Sequence, residues 1–118
     1  MFSAGSITGG FKNAIDYVSN EWKGKPVAII SYGIVGGTFA SDQTKHILSM
    51  MKLRVAETRP ALAFAGGVGP DLFAAMGGVL AEGTKTSWTE EKKADITKAF
   101  AELKELLDKE PEPEAAQQ

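Results

Sequence analysis

The feature that most constrains this chain is an unbroken apolar run, Val27-Ala28-Ile29-Ile30, that empties into a glycine-rich turn, Ser31-Tyr32-Gly33-Ile34-Val35-Gly36-Gly37. Four consecutive apolar residues after Lys25-Pro26 predict a strand from Val27 to Ser31, buried on both faces as in a parallel sheet covered by helices. The three glycines permit positive φ, or a close approach of backbone to ligand. A helical pattern follows, so the turn falls at the carboxyl end of a strand and beside a helix N-terminus. Open α/β sheets bind nucleotide-like ligands there. The plainer alternative is a tight strand-to-helix connection holding nothing, and the residues alone favour it because glycine turns are common.

Around that turn the chain alternates. Residues 1–10 are small and polar, a loop in which Ser6 or Thr8 caps the helix that follows. Phe11, Ala14, Ile15, Val18 and Trp22 give that helix one apolar stripe of the right period, and Gly24 and Pro26 stop it. A second helix is expected from Thr38 or Phe39 to Met51, with Ala40, Thr44, Ile47, Leu48 and Met51 on one face. Leu53 to Thr58 reads as a short strand, broken at Arg59-Pro60 and extended over Leu62 to Phe64. Gly66 to Thr86 is weakly patterned, with helical turns expected over Asp71 to Met76 and an end at Gly77-Gly78. Ser87 and Glu90 match a capping box. The last helix then presents Ile96, Ala99, Phe100, Leu103, Leu106 and Leu107 inward and Lys/Glu outward, with Trp88 as its anchor.

This alternation argues for right-handed βαβ units in a parallel sheet. Two parallel strands are too few for a stable sheet, and three amphipathic helices need more sheet to cover, so the chain reads as the second half of a larger domain. Residues 1–109 are assigned to that domain and the Pro/Glu/Ala/Gln-rich residues 110–118 to a disordered polar tail. With 118 residues there is one domain at most. A net charge of −2 with interspersed signs gives no electrostatic reason for a nucleic-acid or anionic-membrane surface. The lack of cysteine excludes disulfides, thiolate metal sites and Cys nucleophiles, and the lone His46 makes no metal site and is expected at the surface. Neither a signal peptide nor a membrane span is indicated, which predicts a cytoplasmic protein.

The blocks Phe11-Lys12-Asn13-Ala14-Ile15-Asp16-Tyr17, Trp22-Lys23-Gly24-Lys25-Pro26 and Val27 to Gly33 with Gly36-Gly37, at this spacing, resemble the NAD(P)H-dependent FMN reductase family. That family includes quinone, azo-dye and chromate reductases. The resemblance covers about residues 5 to 64 and, more loosely, the last helix. It implies a flavodoxin-like three-layer α/β fold with a parallel sheet, represented here by its last two strands and three helices. Carried over by position, Ser6 belongs to a loop touching flavin. Ser31, Tyr32, Gly33, Gly36 and Gly37 belong to the loop bordering the isoalloxazine ring. Ser31 is equally suited to capping a backbone group at the strand end, and Tyr32 to covering the sheet edge. Ser3-Ala4 stands where the family has Tyr-Asn, and Thr8 where it has proline. The family's phosphate loop and first three strands would lie before Met1.

The resemblance thus implies an FMN-dependent oxidoreductase with NAD(P)H as co-substrate, a small-molecule electron acceptor and a homo-oligomeric state. Such chemistry needs no side-chain nucleophile, because hydride passes from nicotinamide to flavin and the protein supplies orientation and electrostatics; no catalytic side chain and no metal ligand is assigned. The rival expectation is a truncated, non-catalytic fragment, inert or complementing a partner chain. A third is an intact nucleotide-binding or interaction module that reuses these motifs.

Overall fold

A computed structural model describes residues 6–109; Ser3-Ala4 and the expected disordered tail lie outside the described residues. Thr8 is the N-cap of helix α1 (Gly9–Tyr17), its hydroxyl accepting the Phe11 amide at 3.3 Å. The single helix expected through Trp22 is instead broken at Val18, whose φ of −117° and ψ of 33° separate α1 from one turn of helix, α2 (Ser19–Trp22). A β-branched residue followed by Ser19-Asn20, which compete for backbone hydrogen bonds, is a weak place to continue a helix. The break rotates the stripe apart. Ile15 is buried and Trp22 packs on the core, whereas Phe11 and Val18 are exposed.

The extended segment after α2 is two short strands and not one. Strand β1 (Pro26–Val27) pairs in parallel with β3 (Arg54–Val55), and β2 (Ser31–Gly33) with β4 (Ala61–Ala63). Helix α3 (Thr38–Met50) connects them. Between the two ladders, residues 28–30 on one side face residues 56–60 on the other, three against five, so pairing lapses. Pro60, fully buried and without an N–H to give, sits in that longer side. Its carbonyl accepts the Ser31 amide at 3.0 Å, and the Ala56 amide donates to Val27 at 2.8 Å, so the ladder closes cleanly on both sides of the gap.

Burial on both faces does not hold either. Ile29 is 9% exposed and its neighbour Ile30 is 52% exposed, because side chains alternate and only one face is covered there. On that face lies the core of Ile15, Ile29, Leu48 and Leu53, extended by Trp22, Val27, Ile47, Met51 and Val55. Helices α1 and α3 supply it. Helix α3 keeps its expected span and buries Ser41, Thr44 and Leu48, leaving His46 and Met50 outside.

The other face carries helix α6 (Glu90–Asp108). Arg54, between the core residues Leu53 and Val55, points away from the core. It donates to the carbonyls of Gly24 (2.8 Å), Leu106 (2.5 Å) and Lys109 (2.8 Å), so one guanidinium satisfies carbonyls that the end of α6 leaves open. Two expectations fail on this helix. Its N-cap is Thr89, not Ser87, since Ser87 ends a preceding helix α5 (Glu82–Ser87) and donates to the Thr84 carbonyl. Ala99 is buried as expected, but Phe100 and Leu107 are 61% and 62% exposed: the buried strip of α6 is narrower than the apolar one. Helix α4 (Pro70–Met76) and its stop at Gly77-Gly78 are where the sequence put them. The whole is an α/β arrangement of short parallel strands with helices on both faces.

Candidate site at the carboxyl edge of the strands

The turn after β2 is built from its own atoms. The Gly36 amide donates to the Gly33 carbonyl at 3.1 Å, and the same carbonyl accepts the Phe64 amide at 3.0 Å, tying the turn to the end of β4. Ser31 donates its hydroxyl proton to the Gly36 carbonyl at 2.7 Å, so the backbone-capping role is the one its hydroxyl fills. Gly36 and Gly37 have φ of 73° and 67°. A Cβ at Gly36 would stand 2.9 Å from the Ala61 Cβ, and one at Gly37 2.8 Å from the Tyr32 carbonyl oxygen. These glycines serve the packing of the turn against β4 and β2. Ile34 and Val35, both exposed, are its middle residues, whose amides the closing Gly33–Gly36 bond does not use.

Ser31, Tyr32, Gly33, Gly36 and Gly37 are therefore gathered in one place. Ser6 is not. Its hydroxyl is bonded to the Gln43 side-chain oxygen, which also accepts the Ile7 amide at 3.3 Å. Gln43 lies five residues into α3, about 7.5 Å along the helix from its start at the turn. Ser6 is fastened to the flank of α3.

Beside the turn, Tyr32 and Phe64 meet edge to face, with centroids 6.4 Å apart and planes at 85°. They line a cavity of about 350 Å³. Val79, Leu80 and Trp88, with Ala75 and Gly78, complete its lining. The volume lies at the low end of the ~300–1,000 Å³ usual for small-molecule sites. Trp88 is held by donating its indole N–H to the Ala63 carbonyl at 2.8 Å. That contact anchors the start of α6 to β4. Sequence reasoning missed the part of the lining that residues 75–88 supply; the one signal pointing to the cavity was Phe64, one residue past β4 as Tyr32 is the middle residue of β2.

A second, polar cavity of about 240 Å³ lies between α3 and the β3–β4 connection, lined by Thr38, Ser41, Asp42, Glu57 and Arg59. Its guanidinium is already engaged, with Asp42 at 2.8 Å and the Ser41 hydroxyl at 3.0 Å. Among the described residues there is no cluster of His, Asp or Glu able to hold a metal ion, and no helix is long and apolar enough to cross a membrane.

Comparison with known proteins covers the same ground. Residues 4–67 match the family model described as NADPH-dependent FMN reductase. An NAD(P)H-dependent FMN reductase of a Nectria species is 53% identical over 106 residues, which is 87% of this chain and 52% of that one. One from Schizosaccharomyces pombe is 44% identical over 66 residues, 52% of this chain and 33% of that one. One from Saccharomyces cerevisiae is 46% identical over 44 residues, 37% of this chain and 23% of that one. The chain thus spans about half the length, or less, of the curated relatives it matches. No solved structure matches it significantly.

Proposed function

Because the chain belongs to the NADPH-dependent FMN reductase family, we propose that it carries the ring-binding side of an FMN site and takes part in NAD(P)H-driven reduction of a small-molecule acceptor. One observation carries the reading: the family match runs from residue 4 to residue 67 and so contains the turn after β2, its partner strand β4 and Phe64. Bound FMN would supply the hydride-accepting and hydride-donating centre; the protein's part is binding and orientation.

The residues at the turn fit a flavin ring. The amides of Ile34 and Val35, which the closing Gly33–Gly36 bond does not use, are the turn's candidate donors to its oxygen and nitrogen edge, and the Tyr32–Phe64 pair offers aromatic edges beside its plane. Ser31 fixes the turn through its bond to Gly36, so it acts on the shape of the site rather than on the ring. Ser6 positions the entry to α1 against α3. The loops 33–37 and 64–69 contain no Lys or Arg, so the phosphate charge of FMN has to be met by other groups. A homo-oligomeric, cytoplasmic enzyme is part of the same proposal.

Titration of flavin fluorescence with purified protein tests this reading. Saturable quenching of FMN, and NADPH consumption that depends on added acceptor, are the expected results; unchanged flavin fluorescence at excess protein sinks it. A second reading is favoured by the bare Ile30 beside the strand pair. In it the FMN site is completed by a complementing chain. FMN binding would then appear only on mixing with that chain, and binding by this chain alone would reject it.

A further inference from the structure

We infer that the polar cavity between α3 and the β3–β4 connection is a binding site for a small zwitterion, a molecule carrying an ammonium beside a carboxylate, of which free amino acids are the simplest class. The site stands apart from the flavin reading; only its meaning, an effector bound behind the glycine turn, rests on that reading.

The connection carries opposite charges at Glu57 and Arg59, two residues apart, so their Cα atoms lie within about 7 Å of each other. Thr58 between them turns towards α6, where its amide and hydroxyl bind Glu102, whereas Glu57 and Arg59 both line the cavity beside α3. The two charges nevertheless do not pair. Arg59 gives one nitrogen, Nη1, to Asp42 at 2.8 Å and to the Ser41 hydroxyl at 3.0 Å. Among the described residues, no hydrogen bond or ion pair reaches the Glu57 carboxylate.

The engagement of Arg59 is one-sided. Its side chain is 22% exposed, and its Nε is buried with no partner among the described residues. A buried donor left open costs about 1–3 kcal/mol. The Nε edge of a guanidinium is also one of those that take a carboxylate through two parallel bonds. Ser41, itself only 5% exposed, accepts from Nη1 and keeps a hydroxyl proton to donate. Asp42 and Ser41 hold the guanidinium in place before anything binds, so little freedom is lost on binding.

Charge then decides the class of ligand. The ionised groups facing the cavity are Asp42, Glu57 and Arg59, two carboxylates against one guanidinium, and Asp42 is already paired. A simple anion satisfies the Arg59 Nε but meets Glu57 uncompensated. A simple cation satisfies Glu57 and leaves Nε bare. A zwitterion satisfies both. The volume of about 240 Å³ is below the ~300 Å³ at which drug-sized sites begin, so the ligand is small. Ala61 lines the same cavity and packs against the turn, since a Cβ at Gly36 would stand 2.9 Å from the Ala61 Cβ. An occupant therefore braces the turn from behind.

Calorimetric titration of the purified protein with glycine, acetate and methylammonium, the zwitterion and its two halves, tests the site without flavin or turnover. Glycine is expected to bind saturably, and each half about tenfold more weakly or worse. Glu57→Gln should weaken glycine by about tenfold and leave acetate within about twofold of the parent. Glu57→Lys should reverse the order, placing acetate above glycine. Glu57 is exposed and unpaired, so both variants should keep the parent's urea midpoint. Three results overturn the proposal: acetate binding as tightly as glycine, which leaves a plain anion site; glycine binding that Glu57→Gln does not change; or no saturation below about 100 mM glycine, which leaves Nε to water. None of these measurements involves FMN, so their failure leaves the flavin reading standing, and failure of FMN to bind leaves this site standing.

Discussion

Two side chains, Arg54 and Glu102, fasten α6 across the strands. Each bond from the Arg54 guanidinium to a carbonyl belongs to the stronger, charge-assisted kind, worth roughly 1.5–3 kcal/mol. Glu102 titrates. Its two oxygens accept the Thr58 hydroxyl at 2.6 Å and the Thr58 amide at 2.7 Å, and these bonds, the hydroxyl's first and the amide's second, hold its carboxyl below the ordinary value, with Lys98 adding to the effect. A carboxyl whose pKa is lower folded than unfolded contributes stability that is fully present above the unfolded value. That stability is lost as pH falls through the lowered folded one. Glu102→Gln removes this titration while keeping one acceptor. The denaturation midpoint of the native protein should therefore fall more steeply than the variant's as pH drops through and below the carboxylate range. Parallel curves would mean that Thr58 gives Glu102 no differential support.

The turn after β2 separates the two costs of replacing a glycine. Gly37 (φ 67°) and Gly66 (φ 76°) share the left-handed conformation, but a Cβ at Gly37 meets the Tyr32 carbonyl at 2.8 Å and one at Gly66 meets nothing within 4 Å. Gly66→Ala should cost only the conformational term, about 1 kcal/mol, while Gly37→Ala should cost about 3 kcal/mol by urea denaturation, with the backbone clash added. Equal costs would show that the turn yields freely. Nothing in the pattern of glycines distinguishes these two positions, and this marks the limit of what the sequence discloses at the scale of elements. Helix α3, helix α4 and the Thr8 cap were legible because period and punctuation agree there. The break at Val18 and the three-against-five mismatch around Pro60 depend on which residue a distant segment brings alongside. The gathered residues of the turn could be read from one continuous stretch. The lining supplied by Val79, Leu80 and Trp88 could not, since it comes to Tyr32 only through folding of residues 70–88.

At the scale of the molecule, the uneven cover of the two faces is the property that the helical and strand periods do not report. Helices α1 and α3 bury a continuous core, but across the strands α6 is held through Arg54 and Glu102 and buries chiefly Ala99, Ile96, Leu103 and Leu106 being only partly covered. Ile30, Phe100 and Leu107 remain in water at 52%, 61% and 62% exposure. Phe100 and Leu107 are seven residues apart, two helical turns, and so lie near one line along α6. Apolar side chains aligned on one face are a surface that associates, in contrast to scattered single ones. If that line drives self-association, Phe100→Lys combined with Leu107→Lys lowers the apparent mass in sedimentation or light scattering at high protein concentration. Neither side chain is buried, so the double variant should unfold within about 0.5 kcal/mol of the parent per site. A large loss of stability would mean instead that the two side chains pack in solution. An unchanged mass together with unchanged stability would place the associating surface elsewhere, the exposed Phe39 and Met50 of α3 being the next residues to replace.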